Sequence, residues 1–129
     1  MDVSRLAAIP LFHSLSEEHL AALAAVATET DAAEGQRLAT EGEFGHALYA
    51  IEEGTAEVTL DGRPAGTLAS GDVFGEIAVL AAGRRTATVV ATSPMRLIAI
   101  FKRDVWALEQ SSPETSGELR KLVADRLAG

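Results

Sequence analysis

Residues 55–60 read Thr-Ala-Glu-Val-Thr-Leu and run directly into Asp61-Gly62. Side chains of a strand point alternately to its two faces, so Ala56, Val58 and Leu60 fall on one side and Thr55, Glu57 and Thr59 on the other. One face is then buried and the other wet. Asp-Gly supplies the left-handed backbone of a two-residue hairpin turn. The same style of sequence extends from about residue 36 to 101, as short segments separated by turn residues. Strands are expected at 47–52, 65–69, 86–92 and 95–101, punctuated by Gly54, Gly71 and Ser93-Pro94. That is the pattern of a compact β sandwich or barrel.

Helical signals flank this region. Ser16 is a helix cap, Glu17 and Glu18 suit the positive end of a first turn, and Leu15 with Leu20 forms a hydrophobic staple across the start. Leu20, Leu23, Ala24 and Ala27 recur at helical spacing, and the helix is expected to run to about Thr28. After Phe101, Val105, Trp106 and Leu108 make a short apolar face, read as core or packing surface. Ser112-Pro113 then opens a last helix with a Leu119, Leu122, Val123 and Leu127 stripe. No repeat or flexible linker divides the chain. The expectation is one domain over residues 1–129: a helical segment at about 1–30, a β region at about 36–101 and helices at about 102–128.

Composition narrows the function. A chain of 129 residues, 47% hydrophobic, suffices for one core. It has no cysteine, which removes disulfides, thiolate metal sites and cysteine nucleophiles. A formal net charge of −8 argues against a general nucleic-acid-binding face. No signal core and no membrane-length apolar run is present, so a cytoplasmic protein is expected.

Chemistry concentrates in Phe74-Gly75-Glu76-Ile77-Ala78 and, a short loop later, Arg85-Thr86-Ala87. Gly75, lacking Cβ, permits close backbone approach. Glu76 can accept hydrogen bonds from sugar hydroxyls. Arg85 offers a planar fork of donors that matches a phosphate and stays charged at any working pH. Thr86 adds a hydroxyl. If Glu76-Ile77-Ala78 opens a helical turn, its free N–H groups add a second anion anchor. The plainer alternative is that Glu76 and Arg85 pair with each other or with neighbours only to fix the loop.

The stretch from Phe74 to Leu80 and then Arg85 to Val89 resembles the phosphate-binding cassette of the cyclic nucleotide-binding domain family. Glu41-Gly42-Glu43, Leu48-Tyr49-Ala50-Ile51 and Gly54-Thr55-Ala56-Glu57-Val58 resemble that family's early hairpin, and Gly71-Asp72 resembles the lead-in to its cassette. Departures are His46 where the family often has Asp, the small Ala50, and Arg84 in place of a common Pro. The resemblance implies a mainly β fold, a double-stranded β-helix or jelly-roll-like β roll with an N-terminal helix and C-terminal helices. It implies that Glu76 binds the ribose 2′-OH, that Arg85 binds the cyclic phosphate, and that amides around Gly75 and Ala78 complete the cradle. Phe74, Ile77 and Ala87 belong to the same cassette, and Thr86 at its position is associated with tolerance of cyclic GMP.

The function so implied is a regulatory module that senses cyclic AMP, or less readily cyclic GMP, without turnover and without a cofactor. By resemblance the C-terminal helices report occupancy, with Arg120, Val123 or Arg126 as candidates to approach the purine. The family's transcription regulators carry a helix-turn-helix after this domain, and residues 102–129 leave no room for one, so a homodimer or an effector protein is expected to carry the output. Two other classes compete: a non-binding association module that keeps the β roll, and a cupin-like metal enzyme. The second needs a histidine cluster, and His13, His19 and His46 lack metal-pair spacing and read as solvated or capping residues. Glu17-Glu18 and Glu52-Glu53 are sequence neighbours that point to different sides, so neither is an acid/base pair. No nucleophile elbow or Walker-type loop appears.

Overall fold

The computed structural model describes residues 1–75, 85 and 87–128, the last three by backbone alone. Helix α1 (Val3–Ala7), a 3₁₀ turn at Pro10–Phe12 and helix α2 (Glu17–Val26) lead into strands β1 (Thr28–Ala32), β2 (Arg37–Ala39), β3 (Ala47–Glu53), β4 (Ala56–Leu60), β5 (Arg63–Leu68), β6 (Val73–Phe74), β7 (Thr88–Ala91) and β8 (Met95–Phe101). Helices α3 (Lys102–Ser111) and α4 (Pro113–Ala128) follow. The strands form two antiparallel four-stranded sheets, ordered β1-β8-β3-β6 and β2-β7-β4-β5. This is a mainly β, jelly-roll-like β roll with helices at both ends.

The first sheet is the middle layer, and the period of two explains how. Along β3 and β8, Leu48, Ala50, Ile98 and Ile100 turn towards the helices and pack with Leu6, Phe12, Leu23, Leu108 and Leu119. Ile51, Met95 and Leu97 turn the other way and pack with Ala56, Val89 and Ala91 of the second sheet. β6 divides likewise, with Val73 on the helical side and Phe74 inside the roll. Strands buried on both faces need apolar side chains throughout, hence the unbroken apolar run Leu97-Ile98-Ala99-Ile100. Arg5 of α1 adds a polar tie across the outside of this layer: its Nε donates to Glu52 at 2.9 Å, and its other nitrogens pair with Glu52 and Glu29. Those bonds, Glu52's first, hold the guanidinium's pKa above its ordinary value.

The start of α2 matches expectation: Ser16 Oγ accepts from the His19 N–H at 3.2 Å, and Leu15 and Leu20 are both buried. Its end does not. The helix stops at Val26, and Thr28–Ala32, expected as helical segment or linker, is an edge strand paired along its length with β8. Thr-Glu-Thr-Asp-Ala carries one buried side chain, so no alternation marks it; the open edge of β8 makes it a strand. Trp106 is a second correction. It is 58% exposed, whereas Val105 and Leu108 are buried. Residues three apart share a helix face, and Trp106 lies off the face that Val105 and Leu108 share. Leu60, expected on the buried face of β4, is 45% exposed at the strand's end.

Candidate functional site

Arg85 is held by its backbone before its side chain is considered. Its N–H donates to the Glu43 carbonyl at 2.6 Å, and its carbonyl accepts from the Gly42 N–H at 2.9 Å, so it is laced to the loop between β2 and β3. Nearby, the Glu41 N–H donates to Thr88 Oγ1 at 3.0 Å, which extends the lacing to the first residue of β7. The loop is held from its other end too: the Lys102 N–H, the first of α3, donates to the His46 carbonyl at 2.9 Å. The segment from Gly42 to His46 therefore touches both Arg85 and the start of the C-terminal helices.

The Arg85 side chain enters the molecule and is 8% exposed. A guanidinium so far from water must be compensated. Nη1 donates to the Gly75 carbonyl at 3.3 Å, and Cζ lies 5.9 Å from the centroid of the Tyr49 ring. Tyr49 in turn stacks on Phe74, with centroids 5.2 Å apart and planes 29° apart. The two rings are opposed in the β3–β6 ladder, so backbone register sets the stack. An aromatic face attracts a cation, most strongly where water is excluded. Gly75 follows β6 with φ +86°, and a Cβ there would run into Arg85 Nη1 and lie 2.7 Å from the Ala47 carbonyl oxygen. The glycine is what lets the guanidinium approach the backbone.

A cavity of about 190 Å³ opens against this assembly. Arg85 and Tyr49 line it, with Arg37, Glu43, Phe44 and His46. Arg85 supplies a fixed, desolvated positive charge, which is the chemistry that holds a phosphate oxygen. Of the residues expected at the site, Phe74, Gly75 and Arg85 are brought together, and Ala87 is half-buried just before β7. Glu76, Ile77, Ala78 and Thr86 lie outside the described residues, as does Arg84. Among the described residues no group of three or more His, Cys, Asp or Glu side chains is placed to hold a metal ion. None of the described helices is long and apolar enough to cross a membrane.

Residues 29–112 match the family model described as the cyclic nucleotide-binding domain. The chain belongs to the cyclic nucleotide-binding domain family. Over 123 residues this domain is 31% identical to a cyclic nucleotide-gated potassium channel of Rhizobium etli, covering 95% of the chain and 34% of the relative. It is 32% identical to the Cyclic AMP receptor protein of Thermus thermophilus over 123 residues, covering 92% of the chain and 57% of the relative. The chain thus spans from about a third to just over half of these relatives. Among solved structures, the N-terminal domain of a transcriptional regulator from Streptomyces coelicolor superposes with a TM-score of 0.77 at 32% identity, covering 92% of this chain and 86% of that one.

Two features of the domain's site escape sequence reasoning. Tyr49 is the sole tyrosine, and its inward direction, shared with Ile51, was available from strand alternation; its meeting with Arg85 was not. Arg37 reaches the cavity through an irregularity in β2 that no residue pattern marks.

Proposed function

We propose that this domain is a non-catalytic sensor of a cyclic nucleotide, cyclic AMP in preference to cyclic GMP, with Arg85 binding the cyclic phosphate and Glu76 the ribose 2′-OH. The observation that carries this reading is the buried Arg85 guanidinium, set on the Tyr49–Phe74 stack and bounding a cavity. A cation already stripped of water and held in place favours a phosphate oxygen more than a solvated one does, because little has to be desolvated or ordered on binding. The Thermus relative's name, Cyclic AMP receptor protein, favours cyclic AMP. The amides near Gly75 and Ala78 share the phosphate's charge in this scheme, and Thr86 adds a neutral donor.

Output follows from the loop between β2 and β3. A phosphate drawing on Arg85 perturbs the bond to Gly75 and the paired bonds to Gly42 and Glu43. The same loop accepts from Lys102 at the head of α3. Ligand occupancy is thereby able to shift the population of positions open to α3 and α4, to the extent that the nucleotide binds those positions unequally. The listener is a second copy of the domain or an effector protein engaging these helices, in the cytoplasm.

Calorimetric titration with cyclic AMP and cyclic GMP tests the reading, with Arg85→Ala and Arg84→Ala beside the parent. Micromolar or tighter binding is expected. Removing Arg85 costs about 2–5 kcal/mol, or about thirty-fold to a few thousand-fold in affinity. A larger loss in Arg84→Ala would transfer the phosphate role to Arg84. Absence of heat with both nucleotides would leave a β roll used for association alone.

A further inference from the structure

β2 and β7 pair Arg37 with Val90 and Ala39 with Val89, so two steps on β2 match one on β7. This is a β-bulge, and its effect is directional. In a regular strand residues 37 and 39 would share a face. Here Ala39 is 7% exposed and packs among the side chains between the sheets, while Arg37 is exposed. Without the bulge, the register that buries Ala39 would drive a guanidinium into an apolar interior. With it, Arg37 emerges at the cavity that Arg85 lines. Bulges recur beside functional sites because they re-aim a side chain in this way.

The charge pattern gives Arg37 a use. The chain carries −8, so its general field repels an anion. Around the cavity the described Arg and Glu side chains are Arg37 on β2, Glu43 on the following loop and Arg85. Arg37 makes no ion pair among the described residues. Its charge is exposed at the mouth, whereas that of Arg85 is buried.

We infer that Arg37 is the steering cation of the Arg85 cavity, an outer guanidinium that draws an anionic phosphodiester in from solution and passes it to the inner one. The inference rests on the reading of Arg85 as the phosphate contact and adds a division of labour to it. An exposed rim charge acts on association and its salt dependence; a desolvated contact acts on dissociation. Arg37 therefore sets how fast the nucleotide arrives, and Arg85 how long it stays.

Stopped-flow binding of a fluorescent cyclic AMP analogue to the full 129-residue chain separates the two. At about 0.01 M salt, where screening extends to about 30 Å, Arg37→Gln is expected to slow association about three- to tenfold and Arg37→Glu by more. Dissociation should change less than about twofold, and the three proteins should converge near 1 M salt, where screening falls to about 3 Å. Arg63→Gln, on exposed β5 and not among the residues lining the cavity, removes the same charge and should slow association clearly less than Arg37→Gln. Unchanged association in Arg37→Gln, equal slowing in Arg63→Gln, or an effect confined to dissociation would each overturn the assignment while leaving Arg85 in place. A parent chain that binds no nucleotide would overturn Arg85 as well.

Discussion

Replacing Gly75 by alanine tests the close approach that builds the site. The residue sits at φ +86°, a conformation that costs a non-glycine residue about 1–2 kcal/mol. The added Cβ would also lie 2.7 Å from the Ala47 carbonyl oxygen, and Ala47 is 1% exposed and fixed in the β3–β8 ladder opposite Phe101. That oxygen cannot retreat. Arg85 must move instead and give up its 3.3 Å bond to the Gly75 carbonyl, a charged hydrogen bond of about 1.5–3 kcal/mol. Together these give about 2.5–5 kcal/mol. With an unfolding entropy of about 2.1 cal/mol/K per residue, or about 0.27 kcal/mol/K for 129 residues, Tm should fall by about 9–18 °C. Gly62→Ala is the reference, since Gly62 has φ +75° with nothing within 4 Å of its would-be Cβ. It should lose only the conformational part, about 4–7 °C. Scanning calorimetry on both variants reads the difference. Equal melting temperatures would refute the argument that Arg85 and Ala47 crowd this position.

Two further expectations concern the helices. Trp106, the sole tryptophan, should emit as an indole in water and be open to acrylamide quenching, and Trp106→Ala should change stability by less than about 0.5 kcal/mol; blue-shifted emission would place it in the core instead. Asp2 caps α1: its carboxylate accepts from the Ser4 N–H and hydroxyl, and these bonds, the backbone one first, hold its pKa below the ordinary aspartate range. Such a group contributes its full stabilisation above the ordinary, unfolded aspartate pKa and loses it as pH falls from there through its lowered folded pKa. The Ser4 amide resonance should therefore titrate below the ordinary aspartate range, and a midpoint at or above that range would contradict the cap.

Much of the roll was legible because its central strands announce themselves. Val and Ile runs, turn glycines and Asp61-Gly62 located β3, β4 and β8, while Ser16 and Pro113 marked the starts of α2 and α4. What stayed hidden shares one cause. β1, β2 and β6 are short or polar, and their structure is imposed by neighbours rather than by their own alternation. Trp106 was misjudged because composition says apolar while helical geometry says outward. At the site, the cassette motif gave Gly75 and Arg85 their importance. The Tyr49–Phe74 platform needed the pairing of strands 25 residues apart in sequence, Tyr49 opposite Phe74, and local pattern does not carry that distance. The re-aimed Arg37 needed a bulge, which is a property of two strands and not of one.

The central claim is that the buried guanidinium of Arg85 is the phosphate contact of a cyclic nucleotide site. Titration calorimetry of cyclic AMP into the parent chain and into Arg85→Gln tests it most directly. The account requires micromolar or tighter binding by the parent and a loss of about thirty-fold or more in the variant. Equal affinity in the two proteins, or no binding by a folded parent, would contradict it.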